Sequence, residues 1–423
     1  MQNKPLVFAI VITVFLLIDF YSWQAIRTAS KDLGETARKV IFYSHWGIVL
    51  INIAILATLT FGKAYNLGPK APAYLAVFLL AGYLSKLIII LFMLADDLIR
   101  LVKWVISLFV AKKTAVDAGI ITPENTIPRS EFLAKAAILT AAVPVIGVTY
   151  GVLIGAHDYH IRHVKLKLPN LPSGFEGLKI GQISDVHSGS FYNKRAVTGG
   201  VEMLMGEKPD MIFFTGDLVN NIATEMRDYQ DIFSKIKAPM GVYSIFGNHD
   251  YGDYLWWPED GRKKRKNLQD LADTHRHMGW NLMLDEHKII KAGSDEIGLI
   301  GIQNWGARAH FPKYGSMKKA TANMPEVPVK LLLSHDPSHW EAQVLPQYPD
   351  IDVAFAGHTH GMQFGVEVGG YQWSPVKYMY PQWGGLYLSG KQQIYVNRGF
   401  GFLGFPGRIG MPPEITMFTL TKG

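Results

Sequence analysis

Residues 352–361 read DVAFAGHTHG, a mostly apolar run that ends in two histidines one position apart, with glycine on both sides. An imidazole stranded in a dry interior is costly, and two side by side repel each other when protonated. One reading is a pair of surface histidines at a strand end. The other is a metal site, in which each ring stays neutral by giving its lone pair to an ion.

Working outward, five runs share the pattern: LKIGQISD (178–185), DMIFFTGD (210–217), GVYSIFGN (241–248), VKLLLSHD (329–336) and IDVAFAGH (351–358). Each is apolar nearly throughout, as strands buried on both faces are. Residues 193–207 and 222–236 read as intervening helices, and EIGLIGIQN, QQIYVNRG and EITMFTLT as later strands. The order predicts an α/β sandwich of two mixed sheets with helices outside. All five runs finish in a cluster of ligand-capable residues: SDVH, TGDLVN, FGNHD, SHD and GHTH. Function collects at the carboxyl ends of strands in open α/β sheets. One such cluster is an ordinary turn, but five indicate a shared site.

The candidate donors are Asp185, His187, Asp217, Asn248, His335, His358 and His360. Seven oxygen and nitrogen donors exceed the needs of one tetrahedral ion, and the chain has no cysteine to add a thiolate. The set suits two divalent ions such as Mn, Fe or Zn. Two ions sharing a carboxylate would sit about 3.5–4 Å apart, the spacing of two-metal phosphate ester hydrolysis.

These motifs resemble those of the calcineurin-like metallophosphoesterases: D-x-H, G-D-x-x-D, G-N-H-D/E, a lone strand-end His and G-H-x-H, in order from about residue 165 onward. The resemblance implies a four-layer α/β/β/α sandwich. It implies that Asp185, His187 and His360 hold a first metal, that Asn248, His335 and His358 hold a second, and that Asp217 bridges them. His249 would be general acid or charge stabiliser over the phosphate, with Asp250 tuning it, and a bridging hydroxide would be the nucleophile. Asn220 stands where the family has its second Asp, which removes a charge near the ligands without emptying a ligand position. The tail YVNRGFGFLGFPGRIGMPPEITMFTL (395–420) and the preceding apolar helices resemble the membrane-attached bacterial branch of the family, which includes phosphodiesterases and lipid-headgroup pyrophosphatases.

The first 155 residues have another character. Apolar runs at 6–26, 45–62, 73–94 and 132–155 are each long enough to approach the roughly 20 residues a membrane span takes. They predict an all-α transmembrane region over 1–155, ahead of a catalytic domain over 156–423. Residues 98–111, with Arg100 and Lys103, read as a separate interfacial helix. Lys86 interrupts the third run and would snorkel or face a neighbouring helix; paired intramembrane charges are not evident. Arg27, Lys31, Arg38 and Lys39 in one loop, and Arg100, Lys103, Lys112, Lys113 and Arg129 in another, outnumber Lys4, Lys63 and Lys70 on the opposite side. The bias predicts a multi-pass inner-membrane protein with its catalytic domain on the extracytoplasmic side. PRSEFLAKAAILTAAVPVIG (128–147) resembles a degenerate twin-arginine signal, read here as a retained anchor.

The expected partners are a phosphoester substrate, lipid-linked in one reading, and the bilayer itself. The net charge of +7 has its densest run in GRKKRKN (261–267), read as a solvated loop or helix start, and nucleic acid is not expected. Two loops, YGDYLWWPEDGRKKRKN (251–267) and GYQWSPVKYMYPQWGG (370–385), mix aromatics with cations. Trp256, Trp257, Trp373 and Trp383 either pack these loops or line a lipid-facing mouth. Arg398 either binds a substrate phosphate or pairs with a local acid. The leading function is a two-metal phosphodiesterase or pyrophosphatase. Alternatives are a phosphomonoesterase, a non-catalytic membrane scaffold, and a transporter.

Overall fold

In the computed structural model, which describes residues 3–109, 129–308 and 311–423, the chain divides into two units, Met1–Tyr150 and Gly151–Gly423. Helices form where the apolar runs lie: α1 (Lys4–Ala29), α2 (Glu35–Thr60), α3 (Ala71–Phe109) and α4 (Arg129–Leu153). All four are long and apolar enough to cross a membrane. A helix in hydrocarbon satisfies its own backbone polar groups, and exposed Leu17, Leu50, Leu91 and Leu139 suit contact with lipid chains.

Two sequence expectations change here. Residues 98–109 are not a separate helix but the end of α3, which runs unbroken for 39 residues. At 1.5 Å per residue it is about 58 Å long, well beyond the ~30 Å of bilayer hydrocarbon. No glycine or proline interrupts LADDL (94–98), and Asp96 pairs with Arg100 one turn on at 2.6 Å. Residues 110–111 of that stretch lie outside the described residues, as do Lys112, Lys113 and the Arg129 side chain of the basic loop. The second change concerns charge. Lys86 meets a fully buried Asp19 on α1, and the Tyr83 hydroxyl donates to the other oxygen of the same carboxylate at 3.0 Å. The helical unit therefore does contain a paired intramembrane charge, invisible in sequence because the partners are 67 positions apart.

Among the described residues, the second unit has fourteen strands. Those of its first half are β1 (His160–Leu168), β2 (Lys179–Ile183), β3 (Met211–Phe214), β4 (Val242–Ser244), β5 (Asn281–Leu282), β6 (Glu286–Ala292) and β7 (Asp295–Gly301). Then come β8 (Lys330–Leu333), β9 (Val353–Ala356), β10 (Val366–Val368), β11 (Tyr371–Trp373), β12 (Gly385–Ser389), β13 (Gln392–Val396) and β14 (Glu414–Lys422). One six-stranded sheet has the order β1-β14-β2-β3-β4-β5, the other β12-β13-β9-β8-β7-β6, and β10-β11 is a small hairpin. Strands β2, β3 and β4 run parallel, as do β7, β8, β9 and β13.

Side-chain alternation creates the layers. On β3, Met211 and Phe213 join Leu331, Leu333, Val353 and Phe355 in the core between the sheets. Ile212 and Phe214 face the other way, against Val197, Val201 and Leu204 of α5 (Lys194–Gly206), Phe233 of α6 (Gln230–Phe233) and Leu271 of α7 (Arg262–His277). Leu332, Ala354 and Ile394 pack under Trp340, Val344 and α8 (Met317–Ala320). The result is the expected four-layer α/β/β/α sandwich. The basic run from Arg262 opens α7, while the helix expected over 222–236 is broken into a 3₁₀ turn, Ala223–Asp228, and the short α6.

Candidate metal centre

Parallel strands place their carboxyl ends side by side, and the five polar clusters meet there. Backbone bonds join the turns: Asp185 N–H donates to Gly216 O at 2.9 Å, His187 N–H to Asp217 O at 3.1 Å, and Gly357 N–H to His335 O at 2.9 Å. The two sheets are joined where His358 N–H lies 3.0 Å from both oxygens of Asp185. Gly357 permits this approach, since a Cβ there would lie 2.1 Å from Ser184 Oγ and 2.2 Å from Asp185 Oδ2.

Two triads result. Asp185, His187 and His360 each offer a ligand atom within 4.8 Å of the others, and so do Asp217, His335 and His358. In the first, His187 Nε2 faces His360 Nε2 at 3.0 Å, and His360 Nε2 lies 3.3 Å from Asp185 Oδ1. In the second, Asp217 Oδ2 is 3.1 Å from His335 Nε2 and also 3.6 Å from His187 Nε2, so this carboxylate borders both groups. Asn248 joins the second through Oδ1, 2.8 Å from His358 Nδ1. All seven donors predicted from sequence therefore converge.

The backbone is strained to achieve this. Asp185, His187, Asp217, His358 and His360 have φ of 52°, 47°, 61°, 72° and 52°. A left-handed conformation in a non-glycine residue costs on the order of 1–3 kcal/mol, and such residues cluster at functional sites.

Electrostatics keeps three of the four imidazoles neutral and so ready as ligands. Burial pushes His187 down to about 3 against the pull of Asp217. Burial likewise lowers His358 and His360, His360 strongly and with help from His187. Burial opposes protonation of His335 as well, but Asp217, Asp185 and the Thr215 carbonyl together hold this ring up at about 10. Burial would raise Asp217, yet His335 and His249 keep it well below the usual carboxylate range. Burial raises Asp185 to about 6. The donors are all nitrogen and oxygen, and His335 Nε2 is buried with no aligned hydrogen bond while its Nδ1–H is fixed on Thr215 O at 2.7 Å. A second hydrogen bond that fixes the ring is the usual support of a metal-ligating histidine. The residues fit divalent ions of the Mn, Fe and Zn type.

His249 lies beside the donors without joining either triad. Its ring is 5.0 Å from that of His187, and its Nδ1 meets Asn220 O at 2.8 Å. Asp250, expected to tune it, has bonds of its own. Asp250 Oδ2 accepts from the amides of Asp217 and Gly247 at 2.8 Å, and Oδ1 from Leu218 at 2.8 Å. Asp250 holds the two ligand-bearing turns together, and the Asn220 carbonyl orients His249. Arg398 is also settled: it is buried and pairs with Glu414 at 2.6 Å.

Several contributors were missed in sequence. Tyr254 OH takes the Asn248 amide N–H at 2.7 Å, turning Oδ1 toward His358, and its ring packs on His249 at 4.4 Å. Tyr380 OH lies 2.9 Å from His358 Nε2, and Asp336 Oδ2 lies 3.7 Å from the same atom. Buried Arg408 reaches His360 Nδ1 at 3.3 Å while bonding the carbonyls of Arg398, Gly399 and Gly401. Each sits in a run already notable for composition, but nothing local marks the single residue.

Comparison with known proteins agrees with this geometry. Residues 178–362 match the family described as calcineurin-like phosphoesterase, and residues 3–156 match a probable calcineurin-like phosphoesterase transmembrane domain. The uncharacterized metallophosphoesterase YkuE of Bacillus subtilis is 31% identical over 281 residues, covering 65% of this chain and 90% of that one. The zebrafish (Danio rerio) transmembrane protein with metallophosphoesterase domain is 26% identical across 97% of this chain and 88% of its own. Phosphodiesterase YaeI of Escherichia coli is 26% identical across 57% of this chain and 82% of its own. The chain is thus a membrane protein that belongs to the calcineurin-like metallophosphoesterases, metal-dependent hydrolases of phosphoric esters.

Proposed function

We propose that this protein cleaves a phosphodiester or pyrophosphate bond in an envelope or lipid-linked substrate, with two divalent ions at the strand ends and the catalytic domain on the extracytoplasmic side of the inner membrane. The observation that carries the reading is the convergence of two triads around one shared carboxylate, Asp217. Diesterase chemistry is favoured by the likeness to phosphodiesterase YaeI. The outward orientation rests on the lysine and arginine bias of the loops.

In this reading Asp185, His187 and His360 hold one ion, Asn248, His335 and His358 the other, and Asp217 serves both. When bound, such ions polarise phosphoryl oxygens and make a water acidic enough to attack near neutral pH. The protein's own residues do the rest. His249, with Nδ1–H committed to Asn220 O, has Nε2 free to meet a phosphoryl or leaving-group oxygen. Protonated, it gives that proton to the departing alkoxide. Asp250 keeps the turns carrying Asp217 and Asn248 in register through four backbone amides. Trp256 is 84% exposed beside exposed Leu255, whereas Trp257 donates its indole N–H to Gly252 O at 2.7 Å and Trp383 is buried. Trp256 is the most exposed of these three and the one best placed to touch an amphiphilic substrate.

The test is metal content of the purified full-length protein together with hydrolysis of bis-p-nitrophenyl and p-nitrophenyl phosphate. Two ions per chain and preference for the diester are expected. Preference for the monoester, or a single ion at full activity, would overturn the respective part.

A further inference from the structure

We propose that the turn between α1 and α2 carries a pocket for the phosphate of an anionic phospholipid headgroup, a site separate from the metal centre and independent of the catalytic reading. The last turn of α1 and the first turns of α2 are joined by only five residues, 30–34, and enclose a cavity of about 610 Å³. Four cations line it: Arg27, Lys31, Arg38 and Lys39. The two lysines are tethered, Lys31 to Glu131 at 2.8 Å and Lys39 to Glu35 at 2.7 Å. The side chains of Arg27 and Arg38 have no ion-pair or hydrogen-bond partner among the described residues. Free guanidinium groups are forks shaped for phosphate oxygens.

A second feature points the same way. α2 is 26 residues long, and its N-cap, Gly34, gives no side-chain bond to the first turn. The amides at such an end lack intrahelical partners and favour an anion. The acids nearby are Glu35, already paired with Lys39, Glu131, already paired with Lys31 and Lys135, and Asp32, beside Lys31 in the turn.

Why a lipid rather than a free ion follows from the walls. Trp23 and Phe42 close one side, edge to face at 5.4 Å. Val40 and Tyr43, 59% and 70% exposed, continue from there along α2 as surface for acyl chains. Cations and aromatics together at the end of an apolar helix pair mark the headgroup level, where basic pockets bind anionic lipids.

Full-length protein in maltoside micelles would be titrated with phosphatidylglycerol, phosphatidylcholine or inorganic phosphate, counting retained ligand by native mass spectrometry. We expect phosphatidylglycerol to be retained at least tenfold better than phosphatidylcholine, and R27Q/R38Q to remove that preference. The variant R27K/R38K, which keeps charge but loses the forks, should fall between, and serves if the first variant does not fold. A control, K63Q, lies outside the pocket and should bind as wild type. Equal retention of both lipids, or undiminished retention by the arginine variants, would overturn the proposal. Displacement of the lipid by inorganic phosphate at equal concentration would leave a plain anion site and overturn the lipid assignment.

Discussion

Asp217 Oδ2 lies 3.1 Å from His335 Nε2, and the opposite nitrogen of that ring donates to the Thr215 carbonyl at 2.7 Å. Burial opposes protonation of His335, but Asp217, Asp185 and the Thr215 carbonyl together hold the ring up at about 10, which makes this contact an ion pair before metal binds. An ion bound at Nε2 needs the lone pair that the proton occupies. Metal uptake at pH 7–9 should therefore expel a proton from His335, and apparent affinity should rise by up to about tenfold per pH unit, levelling off above about pH 10. Calorimetric titration of the metal-stripped protein in buffers of different ionisation enthalpy measures the release directly. No proton release at pH 7.5 would contradict a protonated His335 that gives way to metal at Nε2.

Removing the His249 ring should separate chemistry from metal binding. The ring touches His187 and Tyr254 but stands outside both triads. His249→Ala is expected to lower kcat by about 10²–10⁴-fold, the usual size of a lost general acid, with metal content unchanged. Tyr254→Phe should do the reverse. It frees the Asn248 amide and weakens one metal by about 10–100-fold, with little loss of kcat once metal is saturating. Metal analysis and kinetics on the same preparations check both, and a His249→Ala protein that had also lost metal would contradict the division.

What could be read from the sequence, and what could not, follows from range. The seven donors were legible because each ends an apolar strand, and parallel strands put such ends together without knowledge of side-chain contacts. Asp250 was found, but its bonds were not, since a motif records adjacency to His249 and not the amides of Asp217 and Leu218. Tyr380 bonds His358 across 22 positions through a loop with no periodicity to place it. Lys86 looked like an interruption because Asp19 lies on another helix. The unbroken α3 was missed because Arg100 and Lys103 set 98–111 apart as an interfacial piece, although no glycine or proline breaks the helix at 94–98.

The loop tryptophans offer a substrate test. Trp256 is exposed, whereas Trp257 is anchored on Gly252 O. If the substrate is lipid-linked, Trp256→Ala should reduce turnover of a vesicle-borne phosphodiester several-fold more than that of bis-p-nitrophenyl phosphate. Trp257→Ala should impair both alike by loosening the loop that carries Tyr254. Equal effects of Trp256→Ala on the two substrates would remove the support for a lipid-facing mouth.

The Asp19–Lys86 pair should behave as a coupled unit inside the helical domain. Asp19 is fully buried and Lys86 nearly so, with Tyr83 bonding the same carboxylate. Removing one partner leaves an unpaired charge in a poor solvent for it, so Lys86→Met is expected to destabilise by about 3–5 kcal/mol. Removing both charges at once, as in D19L/K86M, should recover most of that loss, because ion pairs replaced whole by apolar residues are often neutral in stability. Tyr83→Phe, which deletes one hydrogen bond, should cost about 1 kcal/mol. Unfolding of the wild type, Asp19→Leu, Lys86→Met and the double variant in micelles gives the coupling energy. A double variant whose loss equals the sum of Asp19→Leu and Lys86→Met would show that the two residues do not act on each other.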